Sequence, residues 1–398
     1  MLIKRRTFLQ TGSLATASLL VPKFMKAFEP QQLLVPPGNK TLVVIQFSGG
    51  NDGLNTVVPI TNDWYYRGRP TLNISAEKAH TLTTDAGLHP ALTICKELYD
   101  QGELAIMNSV GYPNPDRSHF RSMDIWHSAS ESNEYFTTGW LGRYLDEQCK
   151  NCTTPTQALE VDDVLSLVLK GEQNKGLALR DPKGLYGVSS GRYFKSLHHA
   201  HEHEEETVDY LYKTMSETIS SAEYIYRQSQ MHPSAAQYPS TKTGKSLKTI
   251  ASLILSDINT RVYYVSLGSF DTHVNQANQQ TKLFTELNDA LSVFVKDLKQ
   301  NRRFEDVMIM TFSEFGRRVK QNASNGTDHG TANNMFFISG GLRKKGILNP
   351  LPDLQDLIAG DLKHQVDFKT VYATILRKWL NADDRAILGK EYALHDFI

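Results

Sequence analysis

Three apolar runs, far apart in the chain, end the same way. Thr41-Leu-Val-Val-Ile-Gln-Phe47 leads into a turn bearing Asp52, Arg261-Val-Tyr-Tyr-Val-Ser-Leu267 into Asp271, and Val307-Met-Ile-Met-Thr-Phe312 into Glu314. Runs of this kind, apolar on both faces and rich in β-branched side chains, suit central strands of a parallel sheet covered on both sides. In open α/β sheets, ligands bind outside the carboxyl ends of the strands. A chain that ends three such strands in acids therefore predicts a polar site along one rim of its sheet. Any one of these acids alone reads equally well as a helix cap.

The stretch from Met310 to Gly341 is the densest in chemistry. After the 307–312 strand comes a polar loop rich in Asn, Ser and Gly. It carries Asp328-His329-Gly330-Thr331, and Met335-Phe336-Phe337-Ile338 then reads as another buried strand. Two such strands side by side would hold Glu314 and the Asp328-His329 pair at one sheet edge. Asp271-Thr-His273 adds an oxygen and an imidazole, the mixed donor set that zinc or manganese accepts. The expectation is a metal-assisted hydrolytic centre, or the remains of one, with Asp52, Asp271, His273, Glu314, Asp328 and His329 as ligands.

The first turn, Ser48-Gly-Gly-Asn-Asp-Gly-Leu-Asn55, has glycines at 49, 50 and 53. They allow a sharp turn and close approach to a ligand. The spacing is not G-x-G-x-x-G, which excludes a dinucleotide fingerprint. Glu103–Asn108 reads as a strand, and the two prolines of 111–116 exclude regular structure there. A helix is expected from about Ser118, whose hydroxyl would lie in the positive field of its N-terminus. Ser118 is the candidate nucleophile, with His119 beside it as ligand or proton donor; a plain N-cap is the competing reading. Arg117, Arg143 and Arg317 are candidates for holding an anion. Further helices are expected over 88–99, 138–146, 203–231, 247–255, 276–300 and 368–376, a loop over 232–246, and short strands over 155–180, with Leu165–Leu169 the clearest.

Lys+Arg and Asp+Glu both number 43 in 398 residues, so no net charge steers the chain toward nucleic acid or an acidic membrane. Residues 1–30 have the layout of an export signal: Lys4-Arg5-Arg6-Thr7-Phe8-Leu9, then a short apolar run. The arginine pair resembles a twin-arginine signal. The apolar run is too short for a comfortable membrane span, and nothing after residue 30 reads as transmembrane. Cys149-Lys-Asn-Cys152 could be a redox pair, half a zinc site or a local disulfide; with Cys95 it makes three cysteines, too few for a disulfide framework. The tract His198–Glu206 reads as a solvated face ahead of a metal store.

Taken together, IQFSGGNDGLN, RSHF, GWLGRYLD, YYVSLGSFDTH, TFSEFGRR and TDHGTANN resemble the DUF1501 family of exported bacterial proteins, over about 41–380. That family is placed near the alkaline phosphatase/sulfatase superfamily. The resemblance implies one domain over 31–398: an α/β, doubly wound, mostly parallel central sheet with helices on both faces, alkaline phosphatase-like. It matches Asp52 to the first-strand metal aspartate, Ser118 to the nucleophile, Asp271 and His273 to later ligands, and His329 to the last histidine. It departs at Ser313-Glu314, where phosphatases carry Asp-His, and lacks the C/S-x-P-S-R context of sulfatases. The implied activity is hydrolysis of an anionic phosphate or sulfate ester with a divalent metal (zinc, manganese or calcium), in the periplasm or outside the cell. A non-catalytic periplasmic or surface binding protein with a degenerate site is the alternative.

Overall fold

The computed structural model describes residues 40–149, 156–191 and 206–398, with only the backbone path for 206–217. The readings made on 1–30, on Cys152 and on most of the histidine-rich tract lie outside the described residues. Nine strands form the main sheet: β1 (Thr41–Phe47), β2 (Leu104–Gly111), β3 (Ala158–Glu160), β4 (Leu177–Ala178), β5 (Val262–Leu267), β6 (Val307–Phe312), β7 (Asn333–Ile338), β8 (Gly346–Ile347) and β9 (Val366–Asp367). Their spatial order is β8-β2-β7-β6-β1-β5-β3-β4, with β9 also beside β2.

All strands but one run the same way. β1 pairs in parallel with β5 and β6, and β3 with β5 and β4. β7 is the exception, antiparallel to both β6 and β2. No helix intervenes between β6 and β7, so the chain returns as a wide hairpin rather than a crossover. Gly316 N donates to Thr331 O, Arg318 N to Asp328 O and Gly330 N to Gly316 O, folding that connection back on itself. Residues 313–332 are thereby held at the carboxyl rim, beside the ends of β1 and β5.

Helices cover both faces. Leu42 and Val44 of β1 join the core packed by α2 (His119–Ser128), α3 (Trp140–Gln148) and α7 (Phe368–Thr374). Val43 and Ile45 join the opposite core, packed by α1 (Thr93–Asp100), α5 (Lys242–Leu255) and α6 (Gln276–Gln300). Successive side chains of a strand alternate in direction, and each buried aliphatic contributes about 1.5–3 kcal/mol, so both helical layers are needed to cover β1. The doubly wound, mostly parallel sheet expected from the sequence is therefore present. A third small core, with Leu54, Val58, Tyr65, Val319 and Leu362, lies under the loops of the carboxyl rim.

Some local expectations are corrected. Leu167–Leu169 is a single 3₁₀ turn, because the Glu160 carboxylate takes both the Ser166 N–H (2.6 Å) and its hydroxyl (2.5 Å). The helix expected from Leu88 starts at Thr93, since Gly87–Leu88 joins a small antiparallel sheet. α5 starts at Lys242, earlier than expected, where the Thr241 hydroxyl caps Gly244 N at 3.1 Å. α4 covers Glu206–Ser229. Cys95 is buried and free, whereas Cys149 is disulfide-bonded. Among the described residues no helix is long and apolar enough to cross a membrane.

Candidate metal centre

Three histidines converge at the carboxyl rim, two of them with a fixed ring orientation. His119 Nδ1 lies 3.0 Å from Glu314 Oε1, and His329 Nδ1 lies 2.9 Å from the carbonyl of Arg117. Ionised carboxylates and carbonyls only accept, so each Nδ1 donates and each neutral ring presents its Nε2 lone pair. His273 Nδ1 faces Asp328 Oδ1 at 3.5 Å, in the same sense but too far for a firm hydrogen bond.

The Nε2 atoms meet around Asp271. His273 Nε2 and His329 Nε2 lie 3.0 and 3.2 Å from Asp271 Oδ1, and His119 Nε2 lies 3.5 Å from Oδ2. His273 Nε2 and His329 Nε2 are 3.0 Å apart. Donor atoms of His119, Asp271 and His329 all lie within 4.8 Å of one another. Lone pairs facing lone pairs at this range repel unless a proton or cation sits among them. The set therefore suits a cation.

The electrostatics agree. Burial pushes the Asp271 carboxyl up, but the Arg317 guanidinium, with the imidazoles around it, outweighs burial and brings the pKa to about 2, so this group is anionic at neutral pH. His119 is raised by its hydrogen bond to Glu314, which favours a proton at Nε2, the place a cation would take. His329 is lowered, chiefly by burial, which keeps its ring neutral. Phe315 walls the rings, 4.9 Å from His119 and 4.6 Å from His329 between centroids.

The other expected site residues go elsewhere. Asp52 is buried in an ion pair with Arg69 (2.5 Å), and also accepts from Gln276 Nε2 and Leu54 N. Both of its oxygens take these donors, and it is not among the donors that meet at the cluster. Glu314 is fully buried and accepts from Gly49 N (2.7 Å) and His119, which makes it a support for a ligand rather than a ligand. Asp328 stands behind His273. Arg317 is fully buried and bonds to the carbonyls of Gly49, Gly50, Phe270 and Thr327 and to Asp271, so it is no open anion clamp. Arg143 ties helices together through the carbonyls of Ile387, Thr138 and Ser128, away from the cluster.

Ser118 and Arg117 stay beside the cluster. Ser118 is exposed and stands at the N-cap of α2 without making a capping hydrogen bond, against the plain N-cap reading. Arg117 pairs through its guanidinium with buried Asp361 while its carbonyl holds His329. It lines a cavity of about 490 Å³ together with Tyr112, Asn114, Phe315, Ile358 and Lys363. A larger cavity, about 780 Å³, lies between residues 161–163, 180–183 and 242–252 and shares none of the cluster's residues; its size does not make it the site of chemistry. Arg69, Gln276, Phe315 and Asp361 went unnoticed in the sequence. Only Asp361, an acid in the short strand Asp361–Leu362, carries even a weak local signal.

Residues 102–390 match the model of the family described as "Protein of unknown function (DUF1501)". No curated protein matches the chain. Among solved structures, it is similar to the PsFucS1 sulfatase from Pseudoalteromonas sp., at 13% identity over 92% of this chain and 75% of that one (TM-score 0.40). It is also similar to the lipoteichoic acid synthase LtaP from Listeria monocytogenes, at 9% identity over 80% and 70% (TM-score 0.35). A protein in the alkaline phosphatase superfamily from Vibrio parahaemolyticus shares 11% identity over 90% and 72% (TM-score 0.36).

Proposed function

The chain belongs to the DUF1501 family, and from that premise we propose that it is a metal-dependent hydrolase of phosphate or sulfate esters acting outside the cytoplasm. The observation that carries the reading is the convergence of three imidazoles on the Asp271 carboxylate. Three nitrogens and a carboxylate suit zinc or manganese. They do not suit calcium, which takes six to eight oxygens. When bound, the ion would polarise the ester oxygen and stabilise the negative charge that develops there.

The chain's own groups supply the rest. Glu314 and the Arg117 carbonyl fix the tautomers of His119 and His329, and Arg317 keeps Asp271 ionised. Ser118 offers an exposed hydroxyl at the N-terminus of the ten-residue helix α2, whose field favours both an alkoxide and an anionic ester. Its attack would form an Oγ–phosphorus or Oγ–sulfur bond and break the bond to the departing alcohol, which takes up a proton while the serine gives one up to water. A second water then releases the inorganic anion and restores the hydroxyl. Arg117 would orient the organic part of the ester in the adjacent 490 Å³ cavity, which is within the range of small-molecule sites. Action outside the cytoplasm draws support from the Arg5-Arg6 segment and from the disulfide-bonded state of Cys149.

The test is metal analysis of the purified protein together with turnover of aryl phosphates and aryl sulfates. Bound metal, and turnover lost in His329→Ala, are expected. Absence of both metal and turnover defeats the reading. Sulfate or phosphate binding without turnover favours the non-catalytic binding protein, to which the arginine pairing of Asp52 and Asp271 lends weight.

A further inference from the structure

We infer that this centre holds a single ion, on His119 Nε2, His273 Nε2, His329 Nε2 and an oxygen of Asp271, and that the guanidinium of Arg317 is its permanent second cation. The inference rests on the metal-centre reading above and fixes its stoichiometry and its fourth donor.

The first argument is a count of uncommitted donor atoms. Of the rim carboxylates, Asp52 is committed through both oxygens, Oδ1 to Leu54 N and Oδ2 to Arg69 and Gln276. Glu314 Oε1 takes Gly49 N and His119 Nδ1, and its Oε2 faces the Ser313 hydroxyl at 3.4 Å. Asp271 Oδ1 already takes Arg317 Nη2 at 2.7 Å. What remains in one place is three imidazole nitrogens and Asp271. That is one four-donor set, the size of one zinc-class site. The remaining rim acid, Asp328, faces His273 Nδ1 at 3.5 Å, on the far side of that ring from the Nε2 atoms, so a second ion would find no free carboxylate among them.

The second argument is the surroundings of Arg317. Five oxygens surround its guanidinium: the carbonyls of Gly50 (2.5 Å), Thr327 (2.9 Å), Phe270 (3.0 Å) and Gly49, and Asp271 Oδ1. Five oxygens around a fully buried side chain make a cation site, and the chain fills it with its own cation. The glycines of the first turn serve this cage. Gly49 and Gly50 have φ of +119° and +77°, a conformation that turns their carbonyls inward and disfavours any side chain. A Cβ on Gly49 would lie 2.4 Å from Asp271 N, and one on Gly50 2.1 Å from the Phe315 ring. So the turn that the sequence suggested was built to present Asp52 to a metal is built to present two carbonyls to Arg317.

The third argument concerns His273. Its Nε2 lies 3.0 Å from both Asp271 Oδ1 and His329 Nε2, next to two of the three donors that lie within 4.8 Å of one another. Its only other near partner at Nε2 is Arg317 Nη1 at 3.5 Å, a weak contact that an ion would replace.

The experiment strips the full-length purified protein with a chelator and titrates it with Co²⁺, following visible absorption, with metal counted by mass spectrometry after dialysis. We expect saturation at one equivalent. His273→Ala, at a 40% exposed side chain that the fold does not need, should weaken Co²⁺ binding by at least roughly 10–100-fold, the loss usual even for a ligand's supporting group, and change the spectrum. Arg317→Lys should keep one equivalent. Two equivalents in the wild type, none after reconstitution, or a His273→Ala protein with unchanged affinity and spectrum overturns the inference. One ion without ester turnover leaves it standing and removes the hydrolase reading; two ions with turnover does the reverse.

Discussion

His119 Nδ1 meets Glu314 Oε1 at 3.0 Å across 195 residues of chain, joining the start of the helix after β2 to the end of β6. The contact decides which nitrogen of His119 faces the cluster. Glu314→Gln keeps the shape but weakens the acceptor and removes the charge. Affinity for zinc should fall roughly 10–100-fold, the usual effect of losing a supporting carboxylate, as measured by competition with a chromophoric chelator. Unchanged affinity would mean that Glu314 does not orient the ring.

Asp52 and Arg69 form a buried pair with no exposed surface to speak of. Removing one partner leaves the other charge buried and unpaired, at a cost of about 3–5 kcal/mol. Asp52→Ala should therefore lower the urea midpoint strongly while the folded fraction still binds its metal. Asp52→Asn with Arg69→Met should recover part of the loss. If Asp52 were a ligand, the single variant would lose metal with little change in stability.

These two residues mark the limit of what the sequence made legible. Strands ending in acids are a local pattern, and so the sheet, the long helix Gln276–Gln300 and the positions of Asp271, His273 and His329 could be read directly. Which acid stays free depends on partners far away in the chain. Arg69 reaches Asp52 because Tyr66–Arg69 folds under the rim loops, and Arg317 reaches Gly49 and Gly50 across more than 260 residues. No spacing rule encodes such pairings. The direction of β7 was equally hidden, since an apolar run has no polarity that its composition reveals.

Stability should depend on pH through Glu160. Burial raises its carboxyl from 4.5 to about 7, against the opposing hydrogen bonds from Ser166. A raised carboxyl pKa means that the folded state holds a proton which the unfolded chain releases. The contribution is thus complete below pH 4.5 and is lost as pH rises toward 7, by on the order of 3 kcal/mol at one unit per 1.4 kcal/mol. Denaturant titrations between pH 4.5 and 7.5 should show this decline in the wild type and a flatter profile in Glu160→Gln. Equal slopes for the two proteins would exclude Glu160 as the source.

Asp361 links the metal cluster to the neighbouring cavity. Its carboxyl is almost fully buried between two guanidiniums, those of Arg117 and Arg318. Burial raises its pKa while the two arginines oppose that rise. Arg117 is itself 42% exposed at the cavity and holds His329 through its backbone. Asp361→Asn removes the charge that points the Arg117 side chain but leaves its carbonyl in place. For an aryl phosphate, KM should rise about tenfold, the scale of one charge-assisted hydrogen bond, with kcat held within about twofold and metal content unchanged. A loss in kcat equal to that in kcat/KM would assign Arg117 to the transition state instead. Loss of metal would show that the side chain positions His329 through the backbone, so the three readouts separate the two ends of one residue.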